Sequence, residues 1–375
     1  MGKNRFNHVK VTALKTVVPE QYVDIEDELQ YFDNNPKKLA RAKKMAGFGR
    51  RYLCDENSTV VDMCVDAAEK LICENHIDKS AIELLIVVNE KPDYLEPSDA
   101  CVIHGRLGLE TSCTVLDLPF GCPGYPHGLL VAHSMIASGA VKNCLLLAGS
   151  MVSPVDLDNR KLAPIFGDAA SATWLEYTEE QRDAWFVTGT RGRDWDKIIV
   201  PFGGHRLPIQ EDVMNLREKD ALGNSWDVHQ KIINGPDVFN FSIDIGPKMI
   251  QELLEYSEKN INDVDYYAIH QANKQIVENI IARSGIPMEK STTEVFTKYA
   301  NNSTNSVVTV ICDQLVDRPV RLVMLCTFGI GLQWGGCLLD LSDVKNGGIA
   351  SYTPPKHQMN RSEQIQYWIN QVKGE

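Results

Sequence analysis

The stretch Thr114-Val115-Leu116-Asp117-Leu118-Pro119-Phe120-Gly121-Cys122-Pro123-Gly124 joins an apolar run of strand character, Thr114 to Leu118, to a helical run over Gly128 to Ala137. A thiol at a strand-to-helix junction feels the positive end of the helix dipole and unpaired backbone N–H groups, and both favour the thiolate. Pro123 suits a first helical position, where no N–H is required, and Gly121 and Gly124 allow a ligand close to the backbone. Cys122 is therefore a candidate nucleophile, although a buried structural cysteine would account for the same position.

Two further junctions have the same form. Tyr266 to Ile269 reads as a buried strand followed by His270-Gln271-Ala272-Asn273 and a helix over Lys274 to Ser284. Glu294 to Phe296 reads as another strand, from which Tyr299-Ala300-Asn301-Asn302-Ser303-Thr304 leads into an apolar helix over Ser306 to Leu315. Cys122, His270 and Asn301 thus each stand at a strand exit, where ligand sites of open α/β sheets gather. Taken singly, His270 could serve a helix start and Asn301 or Asn302 an N-cap. His127, in the first turn after Cys122, is either a third polar group near the site or a solvent-facing helix residue.

Working outward, these junctions fall into a repeat. Strand-like runs at Leu84 to Asn89, Thr114 to Leu118, Cys144 to Ala148 and Ala172 to Glu176 are matched by runs at Tyr266 to Ile269, Glu294 to Phe296, Val320 to Cys326 and Gly336 to Leu341. Each half advances by roughly 30 residues per strand–helix unit, the length of a parallel crossover, until a closing hairpin-like strand. Continuous apolar strands such as Leu84-Leu85-Ile86-Val87-Val88 require helices on both faces of their sheet. The chain divides into a first half, residues 1–182, a segment of loops and lid-like structure, 183–236, a second half, 237–341, and a polar appendage, 342–375, with a helix-like stretch over Ser362 to Val372.

The composition narrows the class. With 375 residues, 43% hydrophobic and 23% charged, the chain has the makings of a large core. Ten cysteines without a C-x-x-C pair and nine histidines without zinc spacing support neither a disulfide framework nor a metal site, and point to a reduced, cytoplasmic protein. No apolar run approaches the roughly 20 residues of a membrane span. A net charge of −12 argues against general nucleic-acid binding, the basic stretch Lys37 to Arg51 being the exception.

Five motifs in order resemble the signatures of β-ketoacyl-acyl-carrier-protein synthase III: Asp117 followed by Cys122-Pro123-Gly124, Phe166-Gly167-Asp168-Ala169-Ala170-Ser171-Ala172, His270-Gln271-Ala272-Asn273, Ala300-Asn301-Asn302-Ser303, and Phe328-Gly329-Ile330-Gly331-Leu332-Gln333-Trp334-Gly335. The resemblance runs from about His8 to Leu341. It implies an α/β thiolase fold with a duplicated five-layer αβαβα architecture, assembled as a homodimer. It further implies that Cys122 accepts an acyl group, that His270 and Asn301 assist it, and that the backbone N–H groups of Cys122 and Ile330 form an oxyanion hole. The implied activity is a Claisen condensation of an acyl thioester with a malonyl carrier, in fatty-acid or specialised-metabolite biosynthesis. Acyl-coenzyme A or acyl-carrier protein would be the substrates, phosphopantetheine thioesters in either case, with no cofactor or metal. Transfer of the acyl group to an alcohol or amine is an alternative, and so is a catalytically silent partner subunit.

Three departures from the family pattern bear on substrate. Ala46-Gly47-Phe48-Gly49-Arg50-Arg51 replaces the usual Thr-Gly-Ile-x-x-Arg, and the tryptophan and arginine that hold coenzyme A in the family fall on about Arg41 and Met45. Arg41, Lys43, Lys44, Arg50 and Arg51 could instead attract a phosphopantetheine or an acidic carrier, or form a solvated face. Gln275 stands where the family often has a carrier-docking arginine, and Lys274 beside it is the candidate replacement. Glu96, in Asp93-Tyr94-Leu95-Glu96-Pro97-Ser98, resembles the base of the subgroup that joins two acyl chains head to head without decarboxylation; the competing and somewhat favoured reading is a helix-start carboxylate beside Pro97.

Overall fold

A computed structural model describes residues 1–151, 159, 162–221 and 223–374. Two sheets stack with helices outside and between them. The first sheet has the order Lys345–Ser351, Val9–Val18, Ala169–Tyr177, Asn143–Ser150, Leu84–Val88, Thr114–Leu118; the second has Gly2–Phe6, Ala184–Thr190, Gln333–Asp340, Leu322–Gly329, Tyr266–Ile269. The core strands of each half run parallel (Leu84–Val88 with Thr114–Leu118 and Asn143–Ser150; Tyr266–Ile269 with Leu322–Gly329), and an antiparallel strand closes each set.

Strand alternation explains the layers. Leu84, Ile86 and Val88 point between the sheets, whereas Leu85 and Val87 point outward against helices α2 (Val60–Asn75) and α3 (Asp99–Leu107). In the second sheet Tyr266 and Ala268 face inward, and Tyr267 and Ile269 face α5 (Gly235–Ser257) and α6 (Lys274–Ser284). The middle layer is α4 (Gly124–Ala137) and α8 (Ser306–Gln314), whose Leu129, Ala132, Ile136, Val307 and Val310 join one apolar cluster with both sheets. This is the five-layer αβαβα stack, and its sheets are buried on both faces, as their unbroken apolar strands require.

Three expectations are corrected. Glu294 to Phe296 is not a strand but the start of helix α7 (Glu294–Tyr299): Thr292 Oγ1 accepts from the N–H of Glu294, and Glu294 complements the positive helix end. Three apolar-edged residues carry too little period to separate the two states. The segment 183–236 is not all loop, because Ala184–Thr190 is an inner strand of the second sheet, paired with Gly2–Phe6 and Gln333–Asp340. Beyond it, among the described residues, come two short pairings, Ile198–Ile199 with Ile232–Ile233 and Arg217–Lys219 with Ser225–Asp227. Residues 342–375 are not a detached appendage, since Lys345–Ser351 adds a strand parallel to Val9–Val18.

The rest of that tail is α9 (Arg361–Lys373), closed by an Asn360/Glu363 capping box and touching the body through an edge contact of Trp368 on Tyr94. Helix α1 (Pro36–Ala46) carries the basic stretch, N-capped by Asn35 with Pro36 at its first position. No helix among the described residues is long and apolar enough to cross a membrane.

Candidate active site

The two halves meet at Cys122. The residue precedes α4 by one turn residue, with Pro123 in the cap position, so α4 begins four residues earlier than the apolar period suggests. Gly329, the last residue of Leu322–Gly329, lies directly against it: a Cβ there would stand 2.8 Å from Cys122 Cβ and 3.2 Å from Sγ. Only glycine allows the second half to approach the sulfur this closely. On its other side Sγ is 3.5 Å from Ser303 Oγ.

His270 follows Tyr266–Ile269 and is tied to the adjacent strand by its N–H to Cys326 O, 2.9 Å. Its ring packs edge-on against Phe328, 5.5 Å between centroids, the residue next to Gly329. Burial pushes the imidazole down to about 3, so it is neutral at physiological pH. Among the described residues its Nδ1 is buried without a hydrogen-bond partner. An unpaired buried N–H is rarer than an unpaired acceptor, which assigns the proton to Nε2.

Asn301 sits in a loop pinned to the first half. Its N–H donates to Ile165 O (2.9 Å), and its C=O accepts from Gly167 N (3.2 Å), so the Phe166-Gly167-Asp168 motif and the Asn301-Asn302-Ser303 motif are one structural unit. Asn302 Nδ2 donates to Gly167 O and Tyr299 O, both at 3.0 Å. Asn301 Oδ1 accepts from Ser303 N at 2.8 Å, which orients the carboxamide and leaves Nδ2 as its donor end. Two non-glycine residues in this loop have positive φ, Ala300 at 59° and Ser303 at 48°. Such residues cost about 1–3 kcal/mol each and cluster at functional sites.

A buried ion pair completes the cluster. Glu90, two residues beyond Leu84–Val88, accepts from Ser303 Oγ at 3.3 Å and from Lys231 Nζ at 2.5 Å, and both side chains are nearly buried. A Cβ on Gly121 would stand 2.6 Å from Glu90 Oε2 and 2.7 Å from Ile330 Cγ2, which places the carboxylate against the residue before the nucleophile. Burial works to raise the Glu90 carboxyl, but the Lys231 ammonium and its hydrogen bond hold it below the usual range. The effect on Cys122 runs against the expected standing thiolate. Burial first, then the Glu90 charge, pushes the thiol up, with Lys231 and Ser303 pulling the other way.

Neither Glu90 nor Lys231 was expected from the sequence. The strand-exit rule applied to Leu84–Val88 would have singled out Glu90, whereas Lys231 lies in a segment without period. Lys231 also forms part of the wall of a cavity of about 810 Å³, together with Leu162, Ile165, Trp226 and Ile233. That volume is in the range of small-molecule sites.

The remaining expected site residues are placed as follows. Arg51 is not available to a substrate: it is buried and forms a forked pair with the buried carboxylate of Glu28, since an arginine there must be neutralised. Arg50 is held by Asp24 and lies over the Tyr22 ring at 3.8 Å. Lys43 pairs with Glu26, while Arg41 and Lys44 stay exposed on α1. Lys274 is half-buried beside Gly47, whose Cβ would meet its own Cβ at 2.7 Å, and its ammonium is 3.7 Å from Glu278. Glu96 is exposed on its own chain. The start of α3 uses Ser98 as cap residue and Asp99 as first-turn acid, so Glu96 is not the helix-start carboxylate. His127 does not face solvent: its Nδ1 bonds Pro123 O at 2.8 Å and its ring stacks on Phe120 at 4.8 Å.

The architecture matches solved structures closely. A 3-oxoacyl-(acyl-carrier protein) synthase from Burkholderia xenovorans LB400 superposes with a TM-score of 0.85 at 27% identity, over 93% of this chain and 99% of that one. The fold thus defines a condensing acyltransferase of the thiolase superfamily. A sequence profile described as 3-oxoacyl-[acyl-carrier-protein (ACP)] synthase III matches residues 116–192, and its C-terminal counterpart matches residues 254–341. A Campylobacter jejuni protein with the provisional name 3-oxoacyl-[acyl-carrier-protein] synthase 3 is 36% identical over 359 residues, 94% of this chain and 100% of the relative. A Clostridium perfringens beta-ketoacyl-[acyl-carrier-protein] synthase III is 30% identical over 89% of this chain and 99% of its own. The chain belongs to the 3-oxoacyl-[acyl-carrier-protein] synthase III family.

Proposed function

We propose that Cys122 takes an acyl group from a coenzyme A or carrier-protein thioester and that the acyl-enzyme then condenses with a malonyl carrier. The observation that carries this reading is the contact of Cys122 with Gly329 on one side and Ser303 on the other, which joins the strand exits of both halves at one sulfur. Sγ attacks the thioester carbonyl as it loses its proton, which ends on the departing thiol. The raised thiol makes that loss part of the attack rather than a prior step. Among the described residues the N–H groups of Cys122 and Ile330 bond no backbone carbonyl, and they suit the tetrahedral oxyanion.

In the second step the malonyl group loses carbon dioxide, and His270 Nε2–H and Asn301 Nδ2–H hold the enolate oxygen. A neutral imidazole is the right form for this role, because it donates without transferring its proton. The carbanion attacks the acyl carbonyl, the Cys122 sulfur leaves and regains a proton, and a β-ketoacyl thioester results. A homodimer fits the exposed tip beside Glu96, where Leu95 is 93% exposed and Tyr94 lies next to it. Glu96 would then face the partner's pocket. The test is incubation with an acyl-coenzyme A and malonyl-carrier protein: release of carbon dioxide with a β-ketoacyl product supports the reading, and an ester or amide formed without carbon dioxide overturns it.

A further inference from the structure

We infer that the ion pair of Glu90 and Lys231 is the specificity element of the acyl site and selects a short acyl group carrying a hydroxyl on its second or third carbon. The inference rests on the acyl-enzyme reading of Cys122. One hydroxyl, Ser303 Oγ, separates the sulfur from the carboxylate, 3.5 Å to Sγ and 3.3 Å to Glu90 Oε1. Lys231 Nζ donates to the same Oε1 at 2.5 Å, lies 5.5 Å over the Phe166 ring, and borders the 810 Å³ cavity, while Glu90 Oε2 faces Gly121 beside the nucleophile. With carbon–carbon bonds of about 1.5 Å, the second and third carbons of an acyl group on Sγ come no farther from the sulfur than this ion pair does.

The chemistry of the wall decides what those carbons carry. An alkyl chain laid on a buried ion pair strips its remaining hydration and returns no hydrogen bond, so long saturated acyl groups are disfavoured. A carboxylate would satisfy Lys231 but meet the Glu90 charge, and an ammonium would do the reverse. A hydroxyl both donates and accepts, so one group can donate to Glu90 and accept from Lys231. The second lysine nearby, Lys91, is pushed down by burial and then by Lys231, which places the two cations in one field, with Glu90 and then Asp168 as counter-charges. Among the described residues Lys231 Nζ uses one of its three N–H donors, on Glu90 Oε1.

The experiment measures Cys122 acylation by mass spectrometry with coenzyme A thioesters of butyrate, 2-hydroxybutyrate, 3-hydroxybutyrate, succinate, β-alanine and octanoate. A hydroxybutyryl thioester should acylate about ten to a hundred times faster than butyryl, the range for hydrogen bonds to charged groups. The double variant Glu90→Gln/Lys231→Met should lose that preference and gain on octanoyl. Butyryl or octanoyl loading as fast as the hydroxyacyl groups in the unaltered enzyme would overturn the inference, as would a preference for succinyl or β-alanyl. Loading with no preference fails this inference alone, while no loading from any thioester fails the acyl-enzyme reading with it.

Discussion

Replacing Glu90 by glutamine should make Cys122 more reactive towards alkylating agents near neutral pH. Two hydrogen bonds of 3.5 and 3.3 Å separate Sγ from the carboxylate oxygen, so the charge lies no more than about 7 Å from the sulfur. At an effective dielectric of about 20 that repulsion is roughly 2 kcal/mol, or between one and two pKa units. The substitution also leaves Lys231 without its counter-ion, and its cation acts on the thiol in the same direction. Both effects lower the thiol, and burial, which remains, limits the gain. The assay is the pH dependence of iodoacetamide alkylation, read on the Cys122 peptide because Cys73 and Cys101 are more exposed and react as well. The profile should move down by one to two pH units in Glu90→Gln. A profile that stays in place or moves up would refute the electrostatic reasoning.

Other perturbations test separate parts of the account. His270→Ala and Asn301→Ala should leave Cys122 loading largely intact while slowing condensation by about 10²–10⁴-fold, the range for loss of a positioned proton donor; equal loss of both steps would contradict the division of labour. Arg51→Met should destabilise the protein by about 3–5 kcal/mol, since it strands the buried Glu28 carboxylate. Urea unfolding reads this, and an unchanged midpoint would return Arg51 to the candidate substrate residues. Stability should also fall with acidification: burial holds the His133 imidazole near 4, below its unfolded value of about 6.5. The unfolded chain therefore binds that proton first, and stability is lost as pH drops from about 6.5 towards 4. Urea midpoints from pH 7 to 4.5 should show a shallower decline in His133→Gln.

Cys122 and His270 stood out in the sequence because each follows a buried strand, Thr114–Leu118 and Tyr266–Ile269, whose exit a motif marks. Asn301 follows helix α7 and not the expected strand, and its loop is set by its backbone bonds to Ile165 and Gly167 rather than by the element before it. Gly2–Phe6 and Ala184–Thr190 escaped notice for a different reason: the first is a mostly exposed edge strand, and the second is buried only at its start, so neither alternates cleanly. Lys231 could not be found at all, since its meaning lies in Glu90, 141 residues away. Arg51 illustrates the converse error. A basic run reads as a surface, but one of its members reaches inward to a glutamate that no spacing rule connects to it.

The central claim is that one sulfur carries the acyl group between the two thioesters. Peptide-level mass spectrometry of the enzyme quenched after a single exposure to an acyl-coenzyme A tests it most directly. The account predicts the acyl mass on the Cys122 peptide, its disappearance when malonyl-carrier protein is added, and no adduct in Cys122→Ala. An acyl group on any other residue, or a β-ketoacyl product from Cys122→Ala at the unaltered rate, would contradict it.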